Sequence, residues 1–290
     1  MDRILGGILV LVLGLSVAAE EEGQDKPAMP AEQYKALLKE YHDARADLAK
    51  AKSDEERTKA IERRDRLPPR FLELAEKNPK DPIVVDALFD MVWYGMPGSD
   101  QALALLQRDH TRSDRLIQVR TQTAFGLPQD VTILHQLSSF YNKEGETFLR
   151  TVLDNNPHRD VQGQACLALA RFYLSRANRL ALLKERPELT EQYEKYLGKE
   201  YLKQLQTLDP AKVRRETEAL LERAAEKYGD EKYSGGGTVG AQANNVLFSI
   251  RDLAVGRQAP DIEGEDQDGK HFKLSDYRGK IVLLYFWNDL

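Results

Sequence analysis

A single cysteine, Cys166, is the chain's one candidate thiol nucleophile. Thiolate chemistry needs access and a lowered pKa, supplied by a helix N-terminus or a neighbouring cation. Cys166 instead lies within Ala165–Ala170, an apolar run at helical spacing, so a buried structural thiol is expected. With one cysteine there is no internal disulfide and no Cys-x-x-Cys. The five histidines, His42, His110, His135, His158 and His271, show no paired metal-ligand spacing, and no metal is expected. His158 directly follows the Asn156-Pro157 break and is expected to serve that turn. Gly235-Gly236-Gly237-Thr238 lacks the lysine and the flanking strand of a phosphate loop and reads as a flexible turn. Trp93 and Tyr94 fall on an apolar helix face. No serine-nucleophile motif or cluster of catalytic carboxylates stands out, and no cofactor is expected.

The elements that would position any site are helices. Hydrophobic residues make up 41% of the chain and charged residues 31%, a soluble, helix-rich balance. The formal charge of -5 is mild and the signs alternate. Arg63-Arg64 and Arg214-Arg215 therefore read as solvated helix faces, and no nucleic-acid partner is expected. Tyr34, Leu37, Leu38, Tyr41, Ala44 and Leu48 mark an amphipathic helix over 31–52. Ser53 and Glu56 form a capping box for a second helix ending by Pro68-Pro69. Helical runs over 71–77 and 83–94 flank Asn78-Pro79, and runs over 148–153 and 161–174 flank Asn156-Pro157. A looser pair, 217–227 and 239–253, flanks the triple-glycine loop. Helices over 100–107 and 130–141, and a charged helical segment over 177–209 interrupted at Pro187, complete the region. The expected class is mainly α, an irregular, repeat-like stack of helical hairpins over 31–253, with strand signals confined to the end.

After residue 254 the pattern changes. Residues 259–262 and 271–274 flank an Asp266-Gln267-Asp268-Gly269 turn and predict a β-hairpin. The unbroken apolar run Ile281–Trp287 predicts a central strand covered on both faces. Together they read V-G-R-Q-A-P-D, then D-Q-D-G-K-H-F-K-L-S-D-Y-R-G-K, then a strand ending in Phe286-Trp287. This resembles the opening of a thioredoxin-like domain of the exported redoxin (AhpC/TSA-type) and thiol-disulfide oxidoreductase kind. Gly256, Ala259, Pro260, Asp261, Asp268, Gly269, Phe272, Leu274, Gly279, Lys280, Phe286 and Trp287 carry the resemblance. It implies a thioredoxin-like fold, protein thiols and disulfides as partners, and a Cys-x-x-Cys about three residues beyond Trp287. Phe286-Trp287 without a following proline favours the disulfide-reductase branch over the peroxidase branch. The sequence ends short of that pair, so residues 255–290 are expected to be an incomplete domain with no catalytic residue. They are expected to dock on the helices or to be poorly ordered and prone to aggregate, and the chain to be inactive in exchange.

At the other end, Arg3, an apolar run to Val17 and Val17-Ala18-Ala19 before Glu20-Glu21-Glu22 have the layout of a signal peptide, 1–19, cleaved after about Ala19. The run is shorter than the roughly 20 residues of a spanning helix; the alternative reading is an uncleaved membrane anchor. A linker, 20–30, follows. The expected protein is exported to the periplasm or envelope, its parent activity thiol-disulfide exchange. The alternative is a redox-inactive helical module that binds a peptide or protein partner.

Overall fold

The computed structural model describes residues 29–117, 121–122, 128–129, 132–139, 143–266 and 268–285. The expected signal peptide, 1–19, most of the expected linker, 20–30, and Phe286 and Trp287 lie outside them.

Helix α1 (Pro30–Lys50) buries Tyr34, Leu37, Tyr41 and Ala44, one stripe at 3.6-residue period. Helix α2 (Asp54–Asp65) starts with the expected box: Glu56 N donates to Ser53 Oγ at 3.2 Å, and Ser53 N to Glu56 Oε2 at 3.3 Å. Helix α2 ends ahead of Pro68-Pro69, as expected, and the two prolines open α3 (Pro68–Lys77). The first helical turn has no use for the missing N–H and welcomes the fixed φ. Helix α4 (Ile83–Trp93) buries every residue from Ile83 to Val92, and α5 (Ser99–Asp109) follows. Two short strands, β1 (Thr121–Gln122) and β2 (Pro128–Gln129), pair antiparallel. Strand had been expected only at the C-terminal end, but two-residue strands are too short for alternation to register.

Helices α6 (Ile133–Ser139), α7 (Lys143–Asn155) and α8 (Arg159–Glu185) come next. Helix α8 is one 27-residue element where a break before Ala177 was expected. No proline or glycine interrupts the stretch from Leu174 to Glu185, so the backbone ladder continues although the buried face thins out after Tyr173. Pro187 then turns the chain into α9 (Thr190–Leu197), and Gly198, at φ +83°, separates it from α10 (Lys199–Gln206). Helix α11 (Pro210–Tyr228) is capped by Asp209, whose carboxylate accepts from Ala211 N at 2.9 Å. Helix α12 (Val239–Arg251) is capped by Thr238.

Helix α8 is the centre of the core. It packs against α6, α7, α11 and α12, while α1, α3, α4 and α5 assemble beside it. Gly163 permits the α8–α11 approach, since a Cβ there would lie 2.8 Å from Tyr228 Cβ. The two Asn-Pro turns have different jobs. Asn78 Nδ2 donates to Leu74 O at 2.9 Å and ends α3, whereas buried Asn156 reaches across to the loop after α5, donating to Thr111 O at 2.8 Å and Ser113 O at 3.0 Å.

The C-terminal hairpin pairs β3 (Glu263–Glu265) with β4 (His271–Lys273), in register Glu263 to Lys273, Gly264 to Phe272 and Glu265 to His271. Its first strand was expected at 259–262. The Asp266 carboxylate accepts from Asp268 N at 3.0 Å and Lys270 N at 2.9 Å, which starts the turn at Asp266 and draws the ladder up to it. The expected central strand is not formed from Ile281 to Tyr285. Among the described residues β3 and β4 pair only with each other, so no ladder offers itself to that segment. A lone strand leaves its amides and carbonyls unpaired. None of the described residues from 252 to 285 is buried.

Candidate functional site

The signature residues form a polar clasp around the hairpin. Asp261 Oδ1 accepts from Ser275 N at 2.8 Å and its Oδ2 from Ser275 Oγ at 2.7 Å, while Leu274 N donates to Ile262 O at 2.9 Å. These bonds tie the chain just before β3 to the chain just after β4. The Ser275 hydroxyl and amide, with smaller help from Lys273, hold the Asp261 carboxyl below its ordinary range. Asp268 and Gly269 lie in the turn, and Gly269, at φ +75°, closes it by donating to Asp266 O. Phe272 lies across the ladder from Gly264, its ring over the space a side chain there would fill. Asp276 Oδ2 accepts from Lys273 N at 3.0 Å and caps the short turn of Leu274–Tyr277. Gly279, at φ +79°, and Lys280 close the next turn, with the Lys280 ammonium 5.7 Å from the Tyr277 ring centre. Gly256, Ala259 and Pro260 lead into Asp261, and Gly256 takes φ +84°. Phe286 and Trp287 lie outside the described residues.

None of these groups is a nucleophile or a metal-binding cluster. What the clasp does is fix the path of the chain from Asp261 to Ser275. Ser275 and Asp266 hold it together, yet neither stood out among the signature residues. The local pattern Asp-x-Asp-Gly is the available signal for Asp266. The Ser275 partnership spans 14 residues and has none.

Within the helices, Cys166 is wholly buried, and its Sγ donates to Leu220 O at 3.2 Å. Burial pushes the thiol up to about 12, the opposite of activation. His158 N donates to Asn156 Oδ1 at 2.9 Å, the turn role expected of it. His42 Nε2 lies 3.4 Å from the Tyr94 hydroxyl, and His271 Nε2 3.1 Å from Glu265 Oε1. Two acids one turn apart on apolar α4 were not anticipated as a feature. Asp90, nearly wholly buried, accepts from Tyr34 OH at 2.6 Å, and Asp86 is ion-paired with Arg115. Their signal is visible in hindsight: two carboxylates four residues apart in an otherwise apolar helix must find partners. Tyr94, pushed up to about 12 by burial and then by Asp90, extends this stripe. The arrangement joins α1, α4 and the 114–117 turn.

Comparison with known proteins bears on the clasp alone. Residues 255–289 match the AhpC/TSA family. The peroxiredoxin Bcp of Bacillus subtilis (strain 168) is 46% identical over 35 residues, 12% of this chain and 22% of its own length. The thiol-disulfide oxidoreductase ResA of Geobacillus thermodenitrificans (strain NG80-2) is 44% identical over 43 residues, 15% of this chain and 25% of its own. The chain thus spans about a quarter of the length of these relatives. No solved structure matches. The C-terminal segment is of the redoxin, thioredoxin-like kind.

Proposed function

We propose that this redoxin-type segment opens the catalytic domain of an exported protein that carries out thiol-disulfide exchange, with residues 31–253 as its docking part. One observation carries the reading: the family match over 255–289 coincides with a self-contained clasp just ahead of the apolar run that starts at Ile281. In such exchange a thiolate attacks one sulfur of a substrate disulfide, forms a mixed disulfide and expels the other sulfur as thiolate. A second cysteine then displaces the reduced substrate and closes the enzyme's own disulfide. Those cysteines would stand just beyond Trp287. Cys166, buried and protonated, serves neither step, so the 290 residues alone are expected to leave disulfides intact. The reductase rather than the peroxidase branch is proposed on Phe286-Trp287.

Sequencing the transcript through and beyond the Leu290 codon tests this. A frame encoding Cys-x-x-Cys within a few codons of Trp287 is expected, and a form carrying it should reduce insulin disulfides where the 290-residue chain does not. Absence of any such frame overturns the proposal. Export is tested by N-terminal sequencing of protein from the cell envelope, which should begin near Glu20. A start at Met1 in the cytoplasmic fraction contradicts it.

The second reading is a redox-inactive interaction module, in which the groove along α8 and α9 described next would serve as the binding face.

A further inference from the structure

Helix α8 carries two arginines, Arg171 and Arg179, along one half-exposed face. The Arg171 guanidinium lies 5.3 Å from the Tyr233 ring centre, donates to the Tyr233 hydroxyl at 2.7 Å and to Gln242 Oε1 at 3.3 Å. All of these partners are neutral, and among the described residues Arg171 forms no ion pair. Arg179 lies 5.8 Å from the Tyr193 ring centre and donates to Tyr201 OH at 2.8 Å. Leu174, Ser175, Asn178, Leu182 and Tyr193 line an open groove together with the two arginines. It continues over α9 to Tyr196, which is 78% exposed. No carboxylate lines either part.

We propose that this α8–α9 groove binds an extended acidic peptide, with two carboxylates four residues apart and an apolar residue between them. Charge complementarity carries the choice of occupant, because the groove presents cationic planar donors and no acid of its own, in a chain whose net charge is negative. The spacing follows from helix geometry. Eight residues of α helix set the arginines ~12 Å apart, close to the ~13 Å that four residues of extended chain cover. In an extended peptide positions i, i+2 and i+4 share a face, so the middle residue falls between the arginines, over Leu174 and Ser175. Guanidinium forks suit carboxylates, and exposed tyrosine beside arginine is the composition from which interface anchors are drawn. The proposal deepens the docking role assigned above to residues 31–253 but uses no thiol, so failure of disulfide exchange leaves it standing.

The test is fluorescence anisotropy of the full chain with a labelled Gly-Glu-Ala-Leu-Ala-Glu-Gly peptide, beside the same peptide with both glutamates replaced by lysine and a single-stranded oligonucleotide of similar length. The acidic peptide is expected to bind in a salt-sensitive way. Arg171→Gln keeps a donor for Tyr233 but loses the charge, and should weaken binding about tenfold. Tyr196→Ser, at an exposed position, should weaken it several-fold with an unchanged circular dichroism spectrum. Equal binding of the lysine peptide, tighter binding of the oligonucleotide, indifference to both substitutions, or no binding at about 1 mM each overturns the proposal.

Discussion

Cys166 illustrates how burial decides chemistry. An ordinary thiol is a few per cent thiolate near neutrality, but this one, wholly buried and pushed up to about 12, is expected to ignore a thiol reagent in the native protein at pH 8. It should react at the normal rate in denaturant, and rapid native labelling would show that the core opens there. The apolar run around Cys166 made this legible from sequence. His110 was not legible in that way. It is nearly buried, and desolvation lowers its pKa below the ordinary histidine value despite the opposing pull of Asp109, with Arg108 adding to the lowering. The half-buried His42 is lowered for the same first reason. A folded pKa below the unfolded one means that the unfolded chain binds more protons as pH falls. The stability these neutral rings contribute is complete above about 6.5 and is lost as pH drops through the unfolded value toward the folded one. The urea midpoint should therefore fall between pH 7 and 5, and His110→Gln should make that fall shallower. An unchanged slope would remove His110 from the account.

Element boundaries were legible where the signal is local and illegible where it is not. The Ser53–Glu56 box needs only four consecutive residues, and Ser53→Ala should cost about 1 kcal/mol in chemical denaturation. The α8–α11 contact has no comparable signal, because Gly163 and Tyr228 are 65 residues apart. Added bulk at Gly163 meets the Cβ and ring of Tyr228 and the side chain of Val239, so Gly163→Ala should destabilise by about 1–3 kcal/mol in urea unfolding. A neutral result would mean that the helices separate without cost. The hairpin shows the same division. Asp266 and Gly269 announced a turn, but the choice of 263–265 over 259–262 depended on which backbone amides the Asp266 carboxylate reached.

The protein joins a packed helical body to a C-terminal stretch in which none of the described residues is buried. Deleting residues 255–290 should leave the unfolding free energy of the helical body within about 0.5 kcal/mol, the range of surface changes. The same deletion should reduce aggregation, since Ile281, Leu283 and Tyr285 are almost fully exposed beside unpaired backbone. Calorimetry and light scattering check the two expectations, and a large loss of stability would reveal docking of this stretch on the helices. The sequence by itself determined the mainly helical class, the Ser53–Glu56 cap, the Asn-Pro and Asp266–Gly269 turns, the inert thiol and the redoxin character of residues 255–289, because each rests on short-range periodicity, side-chain capping or a contiguous motif. Tertiary structure alone decided that α8 runs unbroken through the core, that Asn156 and the α4 aspartates bridge distant segments, that Asp261 clasps Ser275, and that two arginines share one groove. These depend on which surfaces meet, and contact between residues far apart in the chain leaves little local trace. For the same reason residues 281–285 of the apolar run stay exposed and outside any ladder. A strand is defined by its neighbours, and none of the described residues supplies one.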